Sequence, residues 1–220
     1  GQVLDLFRLA RAESKLQQIE NLTWSEAMSR FAFLARTGQI PAGTRAFINS
    51  VSSQHISNPL LKELEELYHD VLDRIVVELT ESEESNRRFI EAKKARIKIW
   101  GGLLALDDYG TGYNTDAALV DLSPDIVKVD ASLIHGIDQD GDRLAVIRNL
   151  MDYAKGRGIL VLAEGVETHG EMETLISCGV DYLQGYYLGR PEFTVPRVPE
   201  VVAQEIRALY GKYAPELQPV

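Results

Sequence analysis

Six short apolar runs of strand length recur along the chain. They are Ala46–Asn49, Ile75–Leu79, Leu103–Leu106, Ile126–Val129, Ile159–Ala163 and Tyr182–Gln184. Runs this short, bounded by turn residues, read as buried strands. The longer stretches between them carry helix punctuation. Thr23 and Glu26 have capping-box spacing, with Gly38 to close the helix. Asn58 and Pro59 read as an N-cap and first helical residue before Leu60–Tyr68. Ser85 to Trp100 reads as a helix stopped by Gly101 and Gly102, and Asp142 to Arg157 as one closed by Gly158. Thr168 with Glu171 forms a second capping box ended by Gly179, and Pro199 opens a last helix through Lys212. Strands alternating with helices predict a mostly parallel sheet covered by helices. No linker or low-complexity stretch divides the chain, so residues 1–220 read as one α/β domain.

The polar residues sharpen this picture, because each predicted strand ends in one. The first ends at Asn49. The second carries Glu78, with Glu81 beyond, and the third ends at Asp107 and Asp108. The fourth carries Lys128 and Asp130, the fifth ends at Glu164 with Glu167 beyond, and the sixth ends at Gln184. Polar groups at the C-terminal ends of parallel strands are where α/β barrels build their sites. A doubly wound sheet would instead show a glycine-rich phosphate turn after its first strand, and none is present.

Charge then narrows the chemistry. The 220 residues are 45% hydrophobic, enough for a real core, and carry a formal charge of −10. An acidic surface repels nucleic acid and anionic lipid, so neither DNA nor RNA is expected as a partner. Carboxylates crowded at one barrel mouth repel each other, and divalent cations relieve the repulsion. Oxygen-only ligands select hard metals such as Mg²⁺ or Mn²⁺. Adjacent aspartates could let one residue bridge two metals about 3.5–4 Å apart, as in phosphoester cleavage. A single strand-end acid is more often a helix N-cap or a solvated loop residue, but acids on four of six strands are a pattern. Lys128 shares a strand face with Asp130 and is suited either to orienting a nucleophilic water or to a buried salt bridge. Gly110-Thr111-Gly112 makes a tight loop after the aspartates, or an ordinary turn. His55, His69, His135 and His169 are scattered, without metal-ligand spacing. Cys178 is the sole cysteine, which excludes an internal disulfide. With no secretory signal and no run of about 18 apolar residues, the expected location is the cytoplasm, including the cytoplasmic part of a membrane-anchored sensor.

Five blocks now stand in order: Glu78-Leu79-Thr80-Glu81, Leu106-Asp107-Asp108-Tyr109-Gly110-Thr111-Gly112-Tyr113, Val127-Lys128-Val129-Asp130, Ala163-Glu164-Gly165-Val166-Glu167-Thr168 and Gln184-Gly185-Tyr186-Tyr187, with Arg190-Pro191 after them. Their order and spacing resemble the EAL-domain family of bacterial cyclic di-GMP phosphodiesterases, from about Phe47 to Pro191. The resemblance implies a TIM-like (β/α)8 barrel, a two-metal site holding Mg²⁺ or Mn²⁺, and hydrolysis of cyclic di-GMP to linear pGpG. It implies Asn49, Glu78 and Asp107 as ligands of one metal and Asp107, Asp108 and Glu164 as ligands of the other. Lys128 and Glu164 then belong to the catalytic set, with Lys128 positioning the attacking water and Glu81 bracing the loop after the aspartates. Asp130, Glu167 and Gln184 resemble substrate-side positions.

Two departures stand out. No Glu-Ala-Leu motif occurs; Glu26-Ala27-Met28 comes nearest, but in helical surroundings. Asp5 to Arg11 resembles the helix that follows that motif, so the barrel is expected to lack its first two strands in this chain. The other departure is Asn114, where the family commonly has Ser. A barrel short of two strands exposes apolar edges, which predicts oligomerisation or strand exchange. The family resemblance points to a homodimer contact over Thr115 to Leu122, and to sensory or GGDEF-type domains attached in the full-length protein. The competing functions are a catalytically silent cyclic di-GMP receptor, an enolase-type barrel and a scaffold that only dimerises. The Gly-Thr-Gly loop and the Ala163 to Thr168 block argue against the enolase reading.

Overall fold

A computed structural model describes residues 8–80, 87–111, 116–192, 195 and 197–213. Parallel strands alternate with helices along the chain, as the apolar runs predict. The strand order, β1-β2-β3-β4-β5-β6, is the chain order, without the reversal that defines a doubly wound sheet. Two compact units divide the chain within β3, Gly1–Ala105 and Leu106–Val220.

In the first unit, α1 spans Leu16–Arg36. It starts seven residues before the expected capping box, and Thr23 is one of its interior residues. The cause is burial: Glu20, Trp24, Met28, Phe31 and Ala32 follow one helical face, and that face outweighs a local cap signal. Gly38 closes the helix with φ of +68°. β1 (Ala46–Asn49) and β2 (Ile75–Leu79) pair in parallel, with Asn49 opposite Glu78 at their C-terminal ends. α2 (Asn58–Tyr68) lies between them in sequence, and its N-cap is Ser57 rather than Asn58. The pre-proline position favours extended backbone, yet here Asn58 is helical and Pro59 follows it in the first turn. α3 spans Arg87–Trp100; its expected start at Ser85 lies outside the described residues. Gly101 turns the chain at φ of +73°, and Gly102 packs so close that an added Cβ would lie 2.8 Å from the Ile75 carbonyl oxygen.

β3 runs from Leu103 to Tyr109, three residues beyond the apolar run. Its last three residues are Asp107, Asp108 and Tyr109, so both aspartates belong to the strand end rather than to the loop beyond it. In the second unit, α4 (Asp116–Leu122) is followed by β4 (Ile126–Val129) and by α5 (Ala131–Ile134), a single turn capped by Asp130. α6 (Gly141–Lys155) begins one residue before Asp142, because Asp140 caps it by accepting from the N–H groups of Asp142 and Arg143. β5 (Leu160–Ala163) pairs in parallel with β4 and with β6 (Tyr182–Leu183). α7 (His169–Cys178) forms the expected capping box, with Gly179 at φ of 82°. α8 (Glu200–Tyr213) closes the described chain. Within the second unit Ile126, Val127, Val129, Val161 and Ala163 are fully buried, as parallel strands covered on both faces require.

Candidate active site

The apolar residues of β4 place Lys128 between two neighbours in a buried row. Val127 and Val129 turn to one face of the strand, and Lys128 turns to the other. Its Nζ lies 2.8 Å from Asp107 Oδ1 on β3 and 2.8 Å from Glu164 Oε1 just after β5. Lys128 and Asp107 are both buried. The salt-bridge alternative for Lys128 is thus realised, with Asp107 and Glu164 among its partners.

Asp108 follows Asp107 with φ of 56°. A left-handed backbone at a non-glycine residue costs free energy and persists where the surroundings over-determine it. Here it brings a second carboxylate to the same spot. Among the described residues, Asp107, Asp108 and Glu164 offer carboxylate oxygens all within 4.8 Å of one another. Burial pushes the Asp108 carboxyl above its usual range, reinforced by Asp107, Asp130 and Glu164 and opposed by Lys128. The Lys128 ammonium thus sits among the carboxylates of Asp107, Asp108 and Glu164. A hard divalent cation fits this all-oxygen donor set and removes the repulsion.

The other predicted residues sit as follows. Asp130 N–H donates to the Tyr109 carbonyl, and its carboxylate accepts from Ser132 N–H at 2.9 Å. Burial alone would raise its pKa, but the bonds from Ser132 and Ala131 outweigh it and hold the carboxylate below its ordinary range. Gly165 supplies the turn after Glu164 at φ of +70°, and a Cβ there would meet the Ala131 Cβ at 2.5 Å. Glu167 has a half-exposed side chain 4.0 Å from His135 Nε2. Gln184 is exposed, and its backbone is fixed by Ala163 and Val166. In the first unit, Glu78 is buried and its strand partner Asn49 is exposed. Glu81 lies outside the described residues. Sequence reasoning read Glu171 only as a capping-box acid. Its carboxylate also accepts from Gly136 N–H at 2.9 Å while bonding Glu167 and Thr168 N–H, so it ties the loop after β5 to the turn after α5. The capping spacing was the available signal; the Gly136 bond spans 35 residues and had none.

The family profile of the EAL domain matches residues 3–191. The chain belongs to the EAL domain family. Among relatives of this EAL domain, the probable cyclic di-GMP phosphodiesterase PdeA of Escherichia coli (strain K12) is 34% identical over 57% of the chain and 17% of its own length. The cyclic di-GMP phosphodiesterase PdeF of the same organism is 30% identical over 58% of the chain and 17% of its own length. The chain therefore spans about a sixth of these relatives. Among solved structures, a standalone EAL protein from Vibrio cholerae O395 in its cyclic di-GMP-bound form aligns over 87% of this chain and 81% of its own, with a TM-score of 0.75 and 28% identity. The manganese and cyclic di-GMP complex of Klebsiella pneumoniae BlrP1 at pH 9.0 aligns over 74% and 44%, with a TM-score of 0.61 and 30% identity. PdeA and PdeF are thus relatives named as cyclic di-GMP phosphodiesterases, the former as a probable one, and the parallel α/β fold is the EAL fold. Among the described residues, no helix of this EAL domain is long and apolar enough to cross a membrane.

Proposed function

We propose that this EAL domain is a metal-dependent phosphodiesterase that opens cyclic di-GMP to linear pGpG. The observation that carries the reading is the convergence of Asp107, Asp108 and Glu164 around Lys128. Asp107, Asp108 and Glu164 are proposed as metal ligands. Asn49 and Glu78, paired at the ends of β1 and β2, are proposed as metal ligands as well. Bound Mg²⁺ or Mn²⁺ supplies Lewis acidity toward the phosphate and lowers the pKa of water. Lys128, fixed between two carboxylates, orients the attacking water by hydrogen bonding. Water adds at one phosphorus, the bond to the ribose O3′ breaks, and that oxygen takes up a proton. Glu164 serves both as ligand and as a partner that aims Lys128. Asp130, Glu167 and Gln184 face the substrate, and Glu81 braces the loop after β3. The enzyme acts in the cytoplasm, as a homodimer through Thr115 to Leu122, of which Thr115 lies outside the described residues, beside sensory or GGDEF-type domains of a longer protein.

The test is turnover of cyclic di-GMP with Mn²⁺ or Mg²⁺ and with chelator, for the wild type and Lys128→Ala. Metal-dependent appearance of pGpG, lost in the variant while substrate affinity is kept, is the expected result. Binding of cyclic di-GMP without turnover would make the domain a receptor and turn the catalytic assignments into binding ones.

A further inference from the structure

The reaction proposed above makes no use of a polar cluster buried behind β1. Glu20 on α1 is 1% exposed and Lys93 on α3 is 7% exposed. Lys93 Nζ lies 3.0 Å from Glu20 Oε1. Both side chains direct further hydrogen bonds to the two residues that follow Asn49. Lys93 donates to Ser50 Oγ and to the Val51 carbonyl, each at 2.7 Å. Glu20 accepts from the Ser50 hydroxyl at 2.6 Å and from the Val51 N–H at 2.8 Å, with Trp24 Nε1 adding a bond at 3.2 Å. The same loop is tied to the end of β2: Ser50 N–H donates to the Glu78 carbonyl at 3.0 Å, and the Ser52 hydroxyl donates to the Thr80 carbonyl.

A buried ion pair is rarely more stabilising than apolar side chains of similar size, because both ions lose their hydration. Apolar side chains could not, however, hold the N–H and the carbonyl of Val51 together with the Ser50 hydroxyl. Those bonds fix the peptide planes on both sides of Val51. Asn49, the last residue of β1, is exposed and Ser50 just after it is buried, so a clamp on Ser50 acts on Asn49 through one stretch of backbone. A second anchor, Ser50 N–H on the Glu78 carbonyl, ties the same point to the residue paired with Asn49.

We propose that Glu20 and Lys93 are positioning residues for metal binding: by clamping Ser50 and Val51 they fix the backbone that aims the oxygens of Asn49 and Glu78 at a divalent cation. This rests on the reading of Asn49 and Glu78 as metal ligands. Groups that orient metal ligands change affinity by about 10–100-fold when removed.

The experiment is titration of the metal-free protein with Mn²⁺ alone, followed by electron paramagnetic resonance of free Mn²⁺. It uses wild type, Asn49→Ala, Ser50→Ala and the double variant Glu20→Gln/Lys93→Met, which leaves no unpaired buried charge. Far-UV circular dichroism and thermal melting report the fold of each. The expected result is a cooperatively folded double variant whose Mn²⁺ affinity falls about tenfold, a smaller loss for Ser50→Ala, and a smaller effect of Asn49→Ala in the double-variant background than in wild type. If the double variant does not fold, the Ser50→Ala titration decides alone. Wild-type affinity in Ser50→Ala and in the folded double variant, with weakened affinity in Asn49→Ala, would overturn the positioning role and leave the proposed activity standing. Unchanged affinity in Asn49→Ala would remove the ligand assignment, and the positioning role with it.

Discussion

Lys128 is the residue on which the second unit's carboxylates converge, and it does two separable things. It partly neutralises Asp107 and Glu164 in the metal-free protein, and in the proposed reaction it orients water. Lys128→Ala is therefore expected to lower kcat by about 10²-fold or more while KM changes little. It also takes the ammonium away from the buried Asp107 and the half-buried Glu164, so the metal-free variant should melt earlier than wild type and recover with Mn²⁺. Steady-state kinetics and melting curves with and without Mn²⁺ check both. Full activity in Lys128→Ala would remove its water-orienting role. Gly185 shows a different constraint. A Cβ there would lie 2.1 Å from the Val166 carbonyl oxygen and 2.2 Å from its nitrogen. Backbone cannot move aside as a side chain can, so Gly185→Ala should destabilise the fold by about 1–3 kcal/mol in denaturant titration.

The loop after β5, which carries Glu164 and Glu167, owes its shape to the start of α7. The capping box is complete, with the Thr168 hydroxyl accepting from Glu171 N–H and the Glu171 carboxylate accepting from Thr168 N–H. Thr168→Ala should cost about 1 kcal/mol in equilibrium unfolding. Glu171 gives this element a pH signature. Burial would raise its carboxyl, but the N–H groups of Gly136, Glu167 and Thr168 and the Thr168 hydroxyl overcome that and hold it below its ordinary 4.5. A depressed folded-state pKa means the unfolded chain takes up the proton first. The stabilisation is complete above pH 4.5 and is lost as pH falls through the lower folded-state value. Melting temperature followed from pH 7 to pH 3 should fall more steeply below 4.5 in wild type than in Glu171→Gln. Parallel slopes would show that the three backbone bonds do not depend on the charge.

For the whole molecule, metal and folding are linked. A cation that binds only the folded state stabilises it in proportion to the logarithm of its excess over Kd. The gain is about 2.7 kcal/mol at a hundredfold excess, or a rise of about 5–10 °C for a chain of this size. Mn²⁺ should raise the melting temperature by that order, and chelator should reverse it. Asp107→Asn should abolish most of the shift, measured by calorimetry. On α4, Val120 is 63% exposed, and the proposed dimer uses this helix. Val120→Arg should shift the protein to monomer in sedimentation. An unchanged association state would move the interface elsewhere.

The parallel α/β order was legible in the sequence because buried strands must be apolar and turns need glycine. Five of the six apolar runs match observed strands to within a residue. The acids at the strand ends were legible as well, since the strand order carries Asp107, Lys128 and Glu164 to adjacent positions. Three features came only from tertiary structure. α1 begins at Leu16, and its buried face already includes Glu20, whose partners come from distant segments, so the local Thr23 signal does not set the start. β3 continues through Asp107 and Asp108 because backbone pairing does not end where hydrophobicity does. The Glu20–Lys93 pair joins residues 73 apart, and no local pattern marks it. Periodicity and punctuation are local properties of the chain, so a sequence carries them openly. The partner of a buried charge is set by which segments meet when the chain folds, and only the folded structure decides that.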